Sequence, residues 1–155
     1  MATIEVGAPA PDFTLTGDDG REITLSAQAG HKVVLYFYPK AGTEGCTLEA
    51  HDFNRLHEEF AAANTVVIGI SADPDKAIAR FRAKNGLAFP LAGDGEHKVL
   101  TAYDVWAEKS MYGRSFWGVV RTTLLIGTDG RIARIWPKVK VAGHAEEVLA
   151  AAKAL

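Results

Sequence analysis

The only cysteine in this 155-residue chain is Cys46, and its setting decides what chemistry it could do. It stands in YFYPKAGTEGCTLEAHDF (36–53), where an apolar, aromatic-rich run gives way to a Gly-containing turn and then to helix-spaced apolar positions. In α/β folds, functional groups gather beyond the carboxyl ends of the strands. Thr43 is a good N-cap residue, which would place Cys46 at the third helical position. Backbone N–H groups there lack helical partners, and the positive end of the helix dipole points at the sulfur. Both favour the thiolate, which is the nucleophilic form. A free cysteine is also often a small, inert, buried residue, so location alone leaves a reactive and a structural thiol both open. Thr43 lies three residues before Cys46, where a dithiol oxidoreductase carries its second cysteine, so C-x-x-C chemistry is excluded. A hydroxyl in that place can instead hydrogen-bond the thiolate, or a polar substrate resting on it.

The elements that must hold this site are legible in the spacing of apolar residues. PDFTLTGDDGREITL (11–25) alternates on both sides of GDDG, with Phe13 and Leu15 answered by Ile23 and Leu25, and predicts a hairpin. KVVLYFY (32–38) reads as a strand covered on both faces and stopped by Pro39. Phe53, Leu56, Phe60 and Ala63 then follow a helical spacing. TVVIGI (65–70) predicts a second buried strand. SADPDKAIARFRAKNG (71–86) predicts a helix with Asp73 as N-cap, Pro74 at the first position, Ile78 and Phe81 on one face and Gly86 at the end. Residues 89–105 read as a short strand, a turn and a short helix. RTTLLIGTDGRIARIW (121–136) is the clearest hairpin, with Asp129-Gly130 in its turn, and 144–155 reads as a closing helix. The resulting order predicts an α/β chain with a central mixed β-sheet flanked by helices and preceded by an N-terminal β-hairpin. The thioredoxin-like fold has this order. Trp106, Tyr112, Phe116 and Trp117 fall outside these elements. They read first as a core satellite under a long loop, and second as an apolar collar or dimer contact.

Composition narrows the function classes. Apolar residues make up 48% and charged residues 23%, as in ordinary globular proteins. A length of 155 residues predicts one domain over 1–155. The net charge of −2, with no run of more than two like charges, argues against nucleic-acid binding or a polybasic membrane contact. The N-terminus has no basic region followed by an apolar one, so a signal peptide is not expected. With one cysteine and no export signal, a reducing cytoplasm is the expected setting. The five histidines are dispersed, and no cluster has metal-ligand spacing.

Pro39-x-x-x-Thr43-x-x-Cys46 matches the peroxiredoxin active-site signature, and VRTTLLI (120–126) resembles that family's second motif, an Arg leading a strand. GAPAPDFTLTGDDGREITLS (7–26) and VWAEKSMYGRSFWGVVRTTLLI (105–126) extend the resemblance to nearly the whole chain. They point to the bacterioferritin comigratory protein, or peroxiredoxin Q, branch. The resemblance implies a thiol-dependent peroxidase acting on hydrogen peroxide and small organic hydroperoxides, with no cofactor. It implies that Cys46 attacks the O–O bond and becomes a sulfenic acid, and that Thr43 holds the peroxide. Arg121 would stabilise the thiolate and the developing charge, Pro39 would shield the pocket, and the N–H groups of Cys46 and Gly45 would point at the peroxide oxygens. From the residues alone, Arg121 reads as a surface ion pair, because charged side chains usually face solvent.

Two positions depart from the branch. Glu44 stands where a Pro is usual; it complements the helix dipole but would disfavour the thiolate if turned inward, so it is expected to point out. His51 stands where many members carry a resolving cysteine, and it reads as a surface histidine. With no second thiol, the sulfenic acid must be resolved from outside, by glutathione or by a thioredoxin- or glutaredoxin-like protein. The expected assembly is a monomer or weak homodimer. The rival reading is a peroxide sensor or redox-signalling protein with little turnover.

Overall fold

The computed structural model describes residues 4–155. The stretch on which the expectation of no signal peptide rests begins with residues 1–3, which lie outside the described residues. The N-terminal hairpin pairs β1 (Thr14–Thr16) with β2 (Glu22–Thr24), Leu15 opposite Ile23. Next come β3 (Lys32–Phe37), α1 (Glu44–Arg55), α2 (His57–Ala62), β4 (Thr65–Ser71), α3 (Asp75–Asn85), β5 (Leu91–Gly93) and α4 (Lys98–Ala102). A second hairpin, β6 (Trp106–Met111) and β7 (Arg114–Val119), precedes β8 (Thr122–Ile126), β9 (Ile132–Trp136) and α5 (His144–Ala154).

The five-stranded sheet runs β5-β4-β3-β8-β9, parallel from β5 to β3 and antiparallel from β3 to β9. Its centre is β3, and the reason is visible in its sequence. Val34 and Tyr36 enter one core with Phe53, Phe60, Ile78, Phe81 and Val148. Val33, Leu35 and Phe37 enter the other core with Phe13, Leu100, Tyr103 and Leu124. A strand that serves two cores has no polar face, which is why its apolar run is unbroken. The expected mixed sheet, both predicted hairpins and the thioredoxin-like order of elements are all present.

Three local expectations change. The helix expected to run through Phe53, Leu56 and Phe60 breaks at Leu56 (φ −95°, ψ 3°) into α1 and α2. All three side chains are still buried, because periodicity reports which face is covered and not whether the axis is straight. Asp73 does not cap α3; Pro74 holds the cap position. The Asp73 carboxylate is engaged elsewhere, accepting hydrogen bonds from Ala41 N at 2.7 Å and Ser71 Oγ at 2.8 Å. Gly86 ends α3 as expected, in the left-handed region at φ +60°.

The third change concerns 106–119, which forms a hairpin and not a loop. Tyr112 (φ 52°) and Gly113 (φ 75°) make its turn, with positive φ at both central positions as tight hairpins prefer. Only Trp106 behaves as a core satellite, half-buried and stacked on His97 at 3.9 Å. Tyr112, Phe116 and Trp117 are exposed.

Gly69 on β4 shows how tightly the aromatic core is packed beneath the end of β3. A Cβ at Gly69 would lie 2.8 Å from the Tyr36 ring and 2.8 Å from Leu91 Cδ2. Gly69→Ala should therefore cost about 1–3 kcal/mol of overpacking strain, read as a lower denaturant midpoint at unchanged slope. A midpoint unchanged from the parent would show that this ring gives way freely.

Candidate active site

The backbone carries Cys46 into place in a few residues. Tyr38 N donates to Ile70 O at 3.1 Å just past the end of β3, and the half-buried Pro39 starts the turn. Gly42 takes φ +84°, a conformation that side chains other than glycine disfavour. The bond from Ala41 N to Asp73 ties this turn to the loop after β4. Thr43 then stands at the N-cap with extended backbone (φ −78°, ψ 156°), so Cys46 is the third residue of α1, as the sequence predicted. The first helical hydrogen bond runs from Thr47 N to Thr43 O at 2.9 Å. The Thr43 hydroxyl makes no capping bond; it is exposed and donates to Lys40 O at 2.7 Å. Glu44 is exposed, as expected of it.

Arg121 reaches the same point from the opposite side of the chain's centre. β8 runs antiparallel to β3 and its first residue, Thr122, pairs with Phe37. Arg121 therefore stands at the carboxyl end of β3, although 75 residues separate it from Cys46. One arm of its fork, Nη2, donates to Cys46 Sγ at 3.2 Å, and the other, Nη1, donates to Glu49 Oε1 at 2.6 Å. A Cβ at Gly45 would lie 3.3 Å from Nη2, so the half-buried Gly45 leaves the fork its room. The reading of Arg121 as a surface ion pair gives way: its side chain is 16% exposed, and its partner Glu49 is 1% exposed. Cys46 itself is 1% exposed.

Glu49 is the site residue that the sequence reading missed. It lies three residues after Cys46, a spacing that puts both on one helix face, and that spacing was the available signal. Burial pushes its carboxyl up to about 7, against the pull of Arg121. Its second oxygen, Oε2, is buried without a hydrogen-bond partner. Below lie Tyr36 and Tyr38, whose hydroxyls are also buried and unpartnered, and whose titration burial drives above the ordinary phenol range. His51 is exposed, with Nε2 2.9 Å from Asn85 Oδ1 on α3.

A thiol at a helix start, met by a half-buried guanidinium from the strand paired with the central strand of a thioredoxin-like sheet, defines a thiol-dependent peroxidase. The chain belongs to the AhpC/TSA family, whose model matches residues 6–135, and it is a peroxiredoxin. It is 47% identical over 153 residues to peroxiredoxin Bcp of Xanthomonas campestris, covering 99% of this chain and 96% of that one. Peroxiredoxin Bcp of Bacillus subtilis is 46% identical over 147 residues, covering 95% of this chain and 94% of the relative. Among solved structures, the X. campestris bacterioferritin comigratory protein superposes with a TM-score of 0.89 at 46% identity, over 99% of this chain and 98% of the other. That protein was solved in trapped intermediate and ligand complexes bearing on its alkyl peroxide reduction. A PrxQ from Xylella fastidiosa superposes with a TM-score of 0.93 at 39% identity, over 99% of this chain and 98% of the other.

The raised Glu49 carboxyl has a consequence for stability. Its folded-state value of about 7 lies above the ordinary 4.5, so folding favours the protonated form. The stability tied to that proton is full below about pH 4.5 and is lost as pH rises through about 7. Relative to Glu49→Gln, the parent should therefore lose roughly 3 kcal/mol of unfolding free energy between pH 4.5 and pH 8. Denaturant titrations of both proteins at the two pH values check this; parallel pH profiles would contradict it.

Proposed function

We propose that this peroxidase runs a one-cysteine cycle on hydrogen peroxide and small organic hydroperoxides, carried by Cys46 with Arg121, Thr43, Gly45 and Pro39. The single observation that supports it most is the 3.2 Å bond from Arg121 Nη2 to Cys46 Sγ. The Cys46 thiolate attacks one peroxide oxygen. The S–O bond forms as the O–O bond breaks, and the departing oxygen takes a proton to leave as water or alcohol. Arg121 offers fixed donors where negative charge passes from sulfur to the leaving oxygen, and it keeps its own charge when buried. The N–H groups of Gly45 and Cys46 precede the first helical hydrogen bond, so both are available to the peroxide. The Thr43 hydroxyl, donating to Lys40 O, keeps its lone pairs to accept a hydrogen bond from the peroxide O–H. Pro39 shapes the turn and shields the sulfur.

Cys46 is the chain's only thiol, so the sulfenic acid is reduced by an outside thiol, either glutathione or a thioredoxin- or glutaredoxin-like protein. Such a cycle draws on a reducing pool, which fits a cytoplasmic setting. Among the described residues no helix is long and apolar enough to cross a membrane. The whole of 1–155 acts as one domain, working as a monomer or weak homodimer.

The test is turnover. Reduced protein mixed with peroxide and each candidate thiol should consume many equivalents of peroxide, and Cys46→Ser should consume none while keeping its circular dichroism. Oxidation by one equivalent, with no thiol able to restore Cys46, would replace this reading with a sensor. Arg121→Ala should slow sulfenic acid formation by about 10²–10³-fold, the usual cost of removing one preorganised charge-stabilising donor. An unchanged rate would take Arg121 out of the reaction.

A further inference from the structure

The β6–β7 hairpin holds its aromatic residues out in water. Its base is fastened. Val120 N donates to Val105 O at 2.8 Å, and His97, Trp106 and Trp117 stack in a row, with 3.9 Å and 6.5 Å between successive ring centres. Beyond that base, β6 and β7 pack chiefly on each other. Tyr112 in the turn is 97% exposed and Trp117 is 58% exposed, and Met111 and Phe116 are exposed as well. These side chains do not share one face. Side chains alternate along a strand, so Trp117 projects with Glu108 and Trp106 on one side. Phe116 projects on the other, where a Cβ at Gly118 would lie 3.5 Å both from its ring and from Lys109 Cδ.

This two-sided display decides what can cover it. A partner docked flat on either side would leave the other side's ring in water, whereas a lipid interface closes around the whole tip. Charge points the same way. Residues 109–117 carry Lys109 and Arg114 and no carboxylate, in a chain of net charge −2. Among the described residues neither cation makes an ion pair. Glu108, the hairpin's one carboxylate, stands back from the turn on the Trp117 rung.

We propose that the β6–β7 hairpin is a lipid-surface anchor, its tip entering the headgroup layer of an anionic bilayer. From the Met111–Arg114 rung to the Glu108–Trp117 rung is three residues, about 10 Å, which is the depth that interfacial segments reach. At that depth Tyr112, Met111 and Phe116 leave bulk water. Trp117 sits at headgroup level, where its amphipathic ring is favoured, and Glu108 stays at the rim. Arg114 and Lys109 have stems long enough to carry their charges to the lipid phosphates. The open edges of β6 and β7 keep water as a hydrogen-bond partner, because that layer is wet. The contact is thus carried by aromatic rings and two cations, not by a polybasic run, which the sequence lacks. Arg121 is seven residues beyond Arg114, so an anchored hairpin holds the site within about 25 Å of the lipid surface. The inference does not depend on how the sulfenic acid is resolved.

Co-sedimentation of the full chain with vesicles tests this, using phosphatidylcholine alone and phosphatidylcholine mixed with phosphatidylglycerol. The parent should bind the mixed vesicles more tightly, with its Trp fluorescence shifted to the blue and quenched by lipids brominated on the acyl chains. The double variant Phe116→Ser, Trp117→Ser should partition about ten-fold less onto both vesicles and lose the quenching. Arg114→Gln should bind the mixed vesicles about five-fold less and the neutral ones little changed, and added salt should act on the parent in the same direction. Both variants alter exposed side chains, so both should keep the parent's circular dichroism and its consumption of hydrogen peroxide. No sedimentation of the parent with mixed vesicles, equal binding to the two vesicle types, or binding indifferent to loss of both rings would each overturn the proposal. So would a lipid-free dimer in analytical ultracentrifugation that the double variant dissolves, which would assign the hairpin to a second copy of the chain.

Discussion

The site depends on one planar cation held between two partners. Arg121 donates to Glu49 with one arm and to Cys46 with the other. A guanidinium with only 16% of its side chain exposed loses hydration, and the Glu49 carboxylate beside it loses nearly all of its own. Such a pair persists only where the backbone fixes both members, since breaking it strands a buried charge. The fixation comes from the sheet. Antiparallel pairing of β3 with β8 sets Thr122 against Phe37, and α1 starts a short turn beyond Phe37. Arg121 and Cys46 are thus anchored to two paired strands at the same end of one register, so their approach is set by backbone hydrogen bonds and not by side-chain reach.

The second constraint is the turn between β3 and α1. Its N–H groups would be orphaned beyond the carboxyl end of the sheet without partners, and Asp73 supplies one from the neighbouring β4–α3 loop. This explains why Asp73 is absent from the cap of its own helix. A carboxylate offered Ala41 N and the Ser71 hydroxyl together makes both bonds, and Pro74 takes the cap position, needing no N–H there. The Gly69–Tyr36 contact does similar work from below, filling the space under the turn with aromatic rings.

What the sequence disclosed follows from which signals survive projection onto a line. The two-sided burial of β3, the Asp129-Gly130 turn and the third-position cysteine in α1 are local features, and the spacing of residues carries them. Arg121 was not accessible that way; its place beside Cys46 depends on a strand pairing across 75 residues, and only the resemblance to peroxiredoxins indicated it. Glu49 escaped because a glutamate in a helix is nearly always solvated, and the i, i+3 relation to Cys46 became a signal only once that helix face was known to be buried. The β6–β7 hairpin escaped for a different reason. It packs on no core along most of its length, so its apolar residues carry no alternation, and its turn uses Tyr112 where Asn or Asp would have announced it.

His51 shows how one substitution agrees with the rest of its helix. It is exposed on α1, and its ring bonds Asn85 of α3 at 2.9 Å. Three residues on, Asn54 donates to Gly86 O at 3.1 Å and accepts from Ala88 N at 2.8 Å. Arg55 pairs with Glu146 on α5. Successive turns of α1 are therefore tied to the chain that follows α3 and to α5, while the first turn, with Cys46, faces Arg121. A chain that closed its own disulfide would have to break such ties to bring a second thiol to the sulfur. Here there is no second thiol to bring, and α1 is anchored along its outer half at positions that include the one where that thiol would stand. The helix that presents Cys46 to Arg121 in its first turn is thus held along its outer half by bonds to α3, to the chain after α3 and to α5.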